Sequence, residues 1–323
     1  MNEVLFHEIR CLDLADFYTG DQLRKERFVA DLGAAYTNIG FVIIRNHFLT
    51  NAMQDRIYSC IKQYFGLSDE LKQKYEHTGI AGQRGHTGKG KEHAKGRNTG
   101  DLKEFFHIGQ ELNSDKLREA GYPANIWPEE VPEFREAAID VFKALEKTGA
   151  VMLRAIALYL GLPEDYFDEK IENGNSILRP IHYFPIKDPS DVPADAVRAA
   201  EHGDINLITL LMGASADGLE VLRRDGVWIP ITALSDQLVV NVGDMLERLT
   251  NKKLKSTIHR VVNPPPNLMS IPRYSIPFFM HPRAEMGLAA LGSCIDAQNP
   301  KKWDDITAGE FLDQRLREIG LKK

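Results

Sequence analysis

The sequence predicts a mainly β protein with flanking helices, and three observations carry that reading. Between residues 202 and 280 short apolar stretches follow one another closely, with the pairs Asp217, Gly218 and Asp225, Gly226 as turn dipeptides between them. Ahead of them lie stretches whose apolar residues recur at helical spacing. The chain has 323 residues, 43% hydrophobic and 27% charged, enough for one sizeable core in a globular protein. Short strands with regular turns close on themselves as a sandwich or a barrel.

Taken in order, Asp21 opens a helix with Phe28, Leu32 and Ala35 on one face, and Gly40 ends it. F-V-I-I-R-N-H at 41–47 reads as a buried strand. Thr50 caps a second helix whose inner face holds Met53, Ile57, Ile61 and Phe65. Residues 77–100 are Gly-rich and basic with no apolar period, so they form a loop. Its length suits either a solvated segment or a lid whose Arg84, Lys89 and Lys91 meet an anionic substrate. D-L-K-E-F-F-H-I-G at 101–109 reads as a strand with Phe105, His107 and Gly109 on one face, one set of which would line a cavity. Residues 132–160 make a long helix with a buried stripe from Phe134 to Leu160, stopped by Gly161. A strand at 177–185 and a polar loop at 187–201 follow. Strands are then expected at 202–212, 218–223, 227–231, 238–242, 256–262 and 273–280, with a helical turn at 243–252 and an amphipathic helix from 305 to 323, Phe311 and Leu316 facing in.

Composition narrows the function. A net charge of −6 argues against nucleic acid or an anionic membrane as the main partner. No apolar run approaches a membrane span, and Met1, Asn2 and Glu3 are not expected to open a signal peptide. Cys11, Cys60 and Cys294 are odd in number and scattered, which fits neither a disulfide framework nor a zinc spacing and favours a reducing cytoplasm. Oligomeric state is not legible.

The chemistry concentrates between 202 and 275. The text reads H-G-D at 202–204, S-T-I-H-R-V-V at 256–262 and R-Y-S at 273–275. His202 and Asp204, two apart, share a face on an extended strand. His259 lies 55 residues beyond Asp204, far enough for several strands to bring it back. Two imidazoles and one carboxylate on one side of a metal form the facial triad of non-haem Fe(II) sites, although Zn(II) could use the same ligands for hydrolysis. Arg273 and Ser275 share a face of one strand and together suit a carboxylate that must be held.

With the phrases V-V-N-V-G-D-M-L-E-R-L-T-N, S-T-I-H-R-V-V-N-P and R-Y-S-I-P-F-F, and G-F at 40–41 followed by N-H at 46–47, the chain resembles the isopenicillin N synthase-like family of Fe(II)- and 2-oxoglutarate-dependent dioxygenases. The resemblance implies a double-stranded β-helix (jelly-roll, cupin-like) core with an N-terminal α/β extension, divided near residues 1–120 and 121–323 but packed as one unit. It implies Fe(II) on His202, Asp204 and His259, and the distal carboxylate of 2-oxoglutarate on Arg273 and Ser275, with Tyr183 helping to fix it. It implies O2 consumption, release of succinate and CO2, and oxidation, usually hydroxylation, of a small molecule. A basic lid points to an acid or amino acid as that substrate. Two alternatives share the motif: an Fe(II) oxidase that uses no 2-oxoglutarate, and a non-catalytic metal-binding module. Asn206, on the ligand face by parity, is expected to touch co-substrate or substrate; His47 and His182 are expected to be structural, and Asp244 and Glu247 to serve a turn.

Overall fold

The computed structural model describes residues 8–19, 21–80, 82–91, 102–186, 198–213, 218–232 and 234–318. Residues 92–100 of the basic loop, most of the 187–201 loop, Asp217 and the end of the last helix lie outside them.

The apolar alternation of the central strands builds two facing sheets. The larger runs Cys11–Asp13, Phe41–Arg45, Leu238–Val242, Ile208–Met212, Pro277–Met280, Ile177–Leu178. Val42, Val240, Leu210 and Phe278 point to its outer face, whereas Phe41, Ile43 and Val239 point inward. The period of two thus sorts one strand's side chains into two cores. The outer face is covered by the Phe134–Tyr159 helix, flanked by the Gln22–Asn38 helix, which also touches the Phe41–Arg45 strand, and by the Asn51–Phe65 helix. Gly149 sits at this contact: a Cβ there would meet the Met280 sulfur at 2.4 Å, so glycine lets helix and sheet approach. Asp21 and Thr50 cap their helices by accepting from the backbone N–H of Arg24 and Met53.

The smaller sheet runs Trp228–Pro230, Leu219–Leu222, His259–Val261, Ala199–His202. Its Leu219, Val221, Ile229 and Val261 meet Phe41, Ile43 and Val239 across an inner core. Two sheets facing across such a core, with helices outside, are the jelly-roll arrangement.

Three expected strands are broken, each for a local reason. The strand expected at 202–212 ends at His202 and resumes at Ile208. Between them the carbonyls of Asp204, Ile205, Asn206 and Leu207 accept from the backbone N–H groups of Gly243, Asp244 and Met245, at the start of the Asp244–Leu249 helix. They satisfy a helix N-terminus instead of a ladder. The 273–280 strand splits into Arg273–Ser275 and Pro277–Met280, because Pro277 has no N–H to donate. Pro180 divides 177–185 in the same way, into Ile177–Leu178 and Ile181–Tyr183.

The split segments join a third sheet, Arg273–Ser275, Ile181–Tyr183, Lys103–His107, Gly85–Thr87. Arg273 lies opposite Tyr183, and Tyr183 opposite Lys103. Behind this row, on the opposite face, Glu104 binds Lys72 at 2.8 Å and His182 at 2.8 Å, with His86 at 3.5 Å. The structural role expected for His182 is met by Glu104 and by stacking on Tyr274. Burial alone would raise the Glu104 carboxyl, but hydrogen bonds from His182 and Lys72 outweigh it and hold the carboxyl below its usual range. Burial pushes the His86 imidazole down. Both shifts give the same sign. His86, neutral in the fold, favours unfolding as pH falls through its unfolded value near 6.5; the stability from Glu104 is present above about 4.3 and is lost as pH falls through its depressed folded value. Thermal melts are therefore expected to weaken below about pH 6.5 and to fall more steeply below about 4.3. Glu104→Gln should flatten the second limb and destabilise the fold by up to about 3 kcal/mol at neutral pH, since the buried Lys72 keeps only the exposed Asp69, at 3.0 Å, as its anion. A variant melting like the parent at every pH would remove this network from the stability of the fold.

Candidate metal centre and co-substrate cavity

His202 and His259 stand directly opposite each other on neighbouring antiparallel strands, their ring centroids 4.4 Å apart. Asp204 lies just past the end of the first strand, in the segment that caps the Asp244–Leu249 helix, so its position comes from that cap and not from strand parity. One ligand atom from each of the three side chains lies within 4.8 Å of the others. His259 Nε2 is 3.8 Å from Asp204 Oδ1.

Each ligand is oriented from behind. The second ring nitrogens face backbone carbonyls: His202 Nδ1 that of Ala200 at 2.6 Å, His259 Nδ1 that of Thr257 at 3.2 Å. An Nδ1–H donated to a carbonyl leaves the Nε2 lone pair for a metal. Phe41 packs edge-on against His259 at 5.6 Å. Asp204 Oδ2 accepts from Thr209 Oγ1 at 2.6 Å and Asn241 Nδ2 at 2.7 Å, which leaves Oδ1 on the histidine side. Burial, with the neighbouring His259, pushes the His202 imidazole down to about 4. Burial would raise the Asp204 carboxyl, but the two histidines and its two hydrogen bonds hold it below its usual value. Two imidazoles and one carboxylate, with no thiolate, fit a borderline divalent ion such as Fe(II).

The same cavity is lined by Arg273, Ser275 and Tyr183. Arg273 is 1% exposed, and its guanidinium carbon lies 4.9 Å from the centre of the Tyr183 ring. All six residues singled out in the sequence therefore meet in one cavity.

Other expectations are corrected. Asn206 is fully buried and does not line the cavity; its amide donates to Thr209 Oγ1 at 3.0 Å, so it buttresses Asp204 through Thr209. None of the three basic loop residues lines it. Arg84 is buried against Gly109, Lys91 pairs with Glu76, and Lys89 lies over the Phe184 ring. Asp244 and Glu247 serve the turn as expected: Ser256 donates to both, and Arg315 of the Ala308–Glu318 helix pairs with Asp244 at 3.2 Å. His47 is structural, facing the Asp236 carbonyl at 3.1 Å.

Four polar lining residues, Lys103, Arg179, Thr209 and Asn241, were not assigned to the site from the sequence. Asn241 carried a signal, an amide inside the apolar run 238–242, since a buried polar side chain in such a strand needs a partner. Asn241→Ala is expected to lower metal affinity about 10–100-fold, the usual cost of losing a group that orients a ligand. Competition with a chelator reads this directly; unchanged affinity would mean that Thr209 alone suffices.

A jelly roll that gathers two imidazoles and a carboxylate beneath a buried guanidinium defines a class, the non-haem iron oxygenases. The comparisons agree. The model of the 2OG-Fe(II) oxygenase superfamily matches residues 174–282, and that of the non-haem dioxygenase N-terminal region, described from morphine synthesis, matches residues 9–130. The proline hydroxylase buaE of Petromyces alliaceus is 34% identical, over 96% of this chain and 98% of its own. A 2OG-Fe(II) oxygenase family protein of Caulobacter crescentus superposes with a TM-score of 0.87 at 42% identity, covering 97% of this chain and 100% of that one. A Neurospora crassa protein solved in complex with alpha-KG and thymine superposes with a TM-score of 0.86 at 29% identity, covering 98% of each chain. The chain belongs to the 2-oxoglutarate- and Fe(II)-dependent oxygenases: it is an oxidoreductase that uses Fe(II), 2-oxoglutarate and O2.

Proposed function

We propose that His202, Asp204 and His259 hold the Fe(II), that Arg273, Ser275 and Tyr183 receive the distal carboxylate of 2-oxoglutarate, and that the reaction hydroxylates a small acid or amino acid. The observation that carries this is the common cavity lined by the donor set and the Arg273 guanidinium. Each side chain then has a task. The imidazoles bind through Nε2, and Asp204 binds through Oδ1 while Thr209 and Asn241 keep Oδ2. Arg273 forks onto the carboxylate, a pairing Lys could not reproduce, and Ser275 adds a hydroxyl. Phe41, Leu211, Val239 and Phe279 line the cavity with apolar surface that excludes water. Iron and 2-oxoglutarate, when bound, supply the oxidising power; the protein supplies order and placement.

An acidic substrate is supported by the lining. Among the described residues it includes Lys103, Arg179 and Arg273, against Asp204 as the one carboxylate. A relative named for proline hydroxylation points the same way. In this reading residues 1–120 form an N-terminal region packed on an oxygenase unit of 121–323, the chain sits in the isopenicillin N synthase-like branch, and its three free cysteines suit the cytoplasm. Among the described residues no helix is long and apolar enough to cross a membrane.

The test is succinate release under air from the Fe(II)-loaded protein, with a library of small acids, amino acids and uncharged metabolites. Stimulation by an acid, with a product carrying one added oxygen atom, is the expected result. Stimulation by uncharged compounds alone would remove the acid from the reading, and substrate oxidation without succinate would replace it with the oxidase alternative.

A further inference from the structure

The Pro277–Met280 strand lies between Ile208–Met212 and Ile177–Leu178 in the larger sheet. Its two phenyl rings alternate across that sheet. Phe278 is fully buried in the outer core and meets the Phe142 ring edge-on at 4.9 Å. Phe279 lines the cavity of the metal centre and is half-buried. Among the described residues it belongs to neither apolar core. The phenyl and phenol rings of Phe41 and Tyr183, which line the same cavity, are 1% and 3% exposed. Phe279 is therefore the aromatic wall with surface left to offer. Large apolar surface left open in the middle of a sheet is stabilised only when a ligand covers it.

Register decides where in the cavity this surface stands. Phe279 lies directly opposite Thr209, and facing residues of an antiparallel pair share a side of the sheet. Thr209 Oγ1 donates to Asp204 Oδ2 at 2.6 Å. The ring thus stands one strand away from the hydroxyl that orients the carboxylate of the donor set. Arg273 and Ser275 come from a different sheet, where they face Tyr183 and Ile181. The phenyl ring is also steadied: the Arg179 guanidinium carbon lies over it, 5.0 Å from its centre, and over the Phe105 ring at 4.4 Å. A cation over a ring holds it through the ring quadrupole, so little freedom remains to be lost when a ligand packs on the rest of the ring.

We propose that Phe279 is a specificity-determining residue of the substrate subsite, a stacking platform for a flat, conjugated ring carried by the small-molecule substrate. This rests on the reading of the site above, in which the donor set holds Fe(II) and Arg273 serves the co-substrate. Two rings in offset or edge-to-face contact gain more than the area they bury, whereas an open chain of the same size gains the area alone. Leucine at 279 keeps an apolar wall and removes the π face, so it separates stacking from simple burial.

The experiment uses the full chain loaded with Mn(II) and 2-oxoglutarate, without turnover. Calorimetry and the shift in melting temperature measure the binding of pairs matched in charge and carbon count: benzoate and heptanoate, pyrrole-2-carboxylate and pentanoate, benzamide and heptanamide. The ring member of each pair is expected to bind about three- to tenfold more tightly, the increment a ring–ring contact adds beyond area. Phe279→Leu should bring the members of each pair to equal affinity, and Phe279→Tyr should keep the preference. The melting shift that 2-oxoglutarate alone produces should persist in both. Phe279→Met, a flexible side chain that fills irregular space, gives the same readout if leucine disturbs the sheet. The proposal is overturned if rings bind the parent no better than chains, if the leucine or methionine variant keeps the parent's preference, or if such a variant also loses its response to 2-oxoglutarate. A parent that gives no response to 2-oxoglutarate would instead fail the assignment of Arg273 and the metal ligands, and this proposal with it.

Discussion

Replacing His202 or His259 with alanine is expected to abolish tight Fe(II) binding while the protein still folds. Each imidazole offers Nε2 to the cavity and faces a backbone carbonyl through Nδ1, that of Ala200 for one and of Thr257 for the other. Neither ring anchors a sheet. The strands that carry them pair through the backbone, and the adjacent apolar contacts of Val221 and Val261 remain. Loss of a ligand should exceed the roughly 10–100-fold that follows loss of a group behind one, so succinate formation should fall to background at micromolar iron. Because these side chains face the cavity, the melting temperature of the apo protein should change little. Chelator competition and melting curves recorded with and without metal separate the two effects. A variant that binds Fe(II) like the parent would remove that histidine from the ligand set.

Arg273→Ala is expected to raise the 2-oxoglutarate requirement at least tenfold, about 1.4 kcal/mol or more for a charge-assisted pair in a buried site. The guanidinium is 1% exposed and lies over the Tyr183 ring, so its fork is held by the sheet that supports it. Ser275→Ala should cost less, about 0.5–1.5 kcal/mol, as a neutral hydrogen bond. Lysine at 273 should recover charge but not the paired geometry. The readout is the KM for 2-oxoglutarate at fixed iron, against direct binding to Mn(II)-loaded protein. A response identical to the parent would mean that the acid is received elsewhere in the cavity.

The cluster of His202, Asp204 and His259 was legible because residue type and order alone constrain it: two histidines and an aspartate in that sequence have few other uses. How they come together was only half legible. His259 does return to lie opposite His202, as a long gap with intervening strands allows. Asp204, however, owes its place to a helix cap formed by residues 40 positions further on, and no local pattern announces such a contact. That cap also defeated the parity argument for Asn206. Basic residues in the glycine-rich loop looked like a lid because loops of that composition are usually exposed, yet Arg84 is buried against Gly109. Arg179 and Lys103 escaped notice because the faces they occupy depend on the proline kink and on which of three sheets each segment joins.

The helix cap has a further consequence. Asp204 gives its carbonyl to the backbone N–H of Asp244 at 2.7 Å, and the Asp244 side chain is gripped by Ser256 and by Arg315 from the Ala308–Glu318 helix. The carboxylate proposed to hold the iron is therefore moored, two links away, to the Ala308–Glu318 helix. Arg315→Ala should leave the donor set intact but let it wander, so that iron dissociates faster while the melting temperature hardly moves. Ordinary iron retention in that variant would show that the mooring bears no strain, and otherwise the distant surface of the molecule becomes a place from which the metal can be tuned.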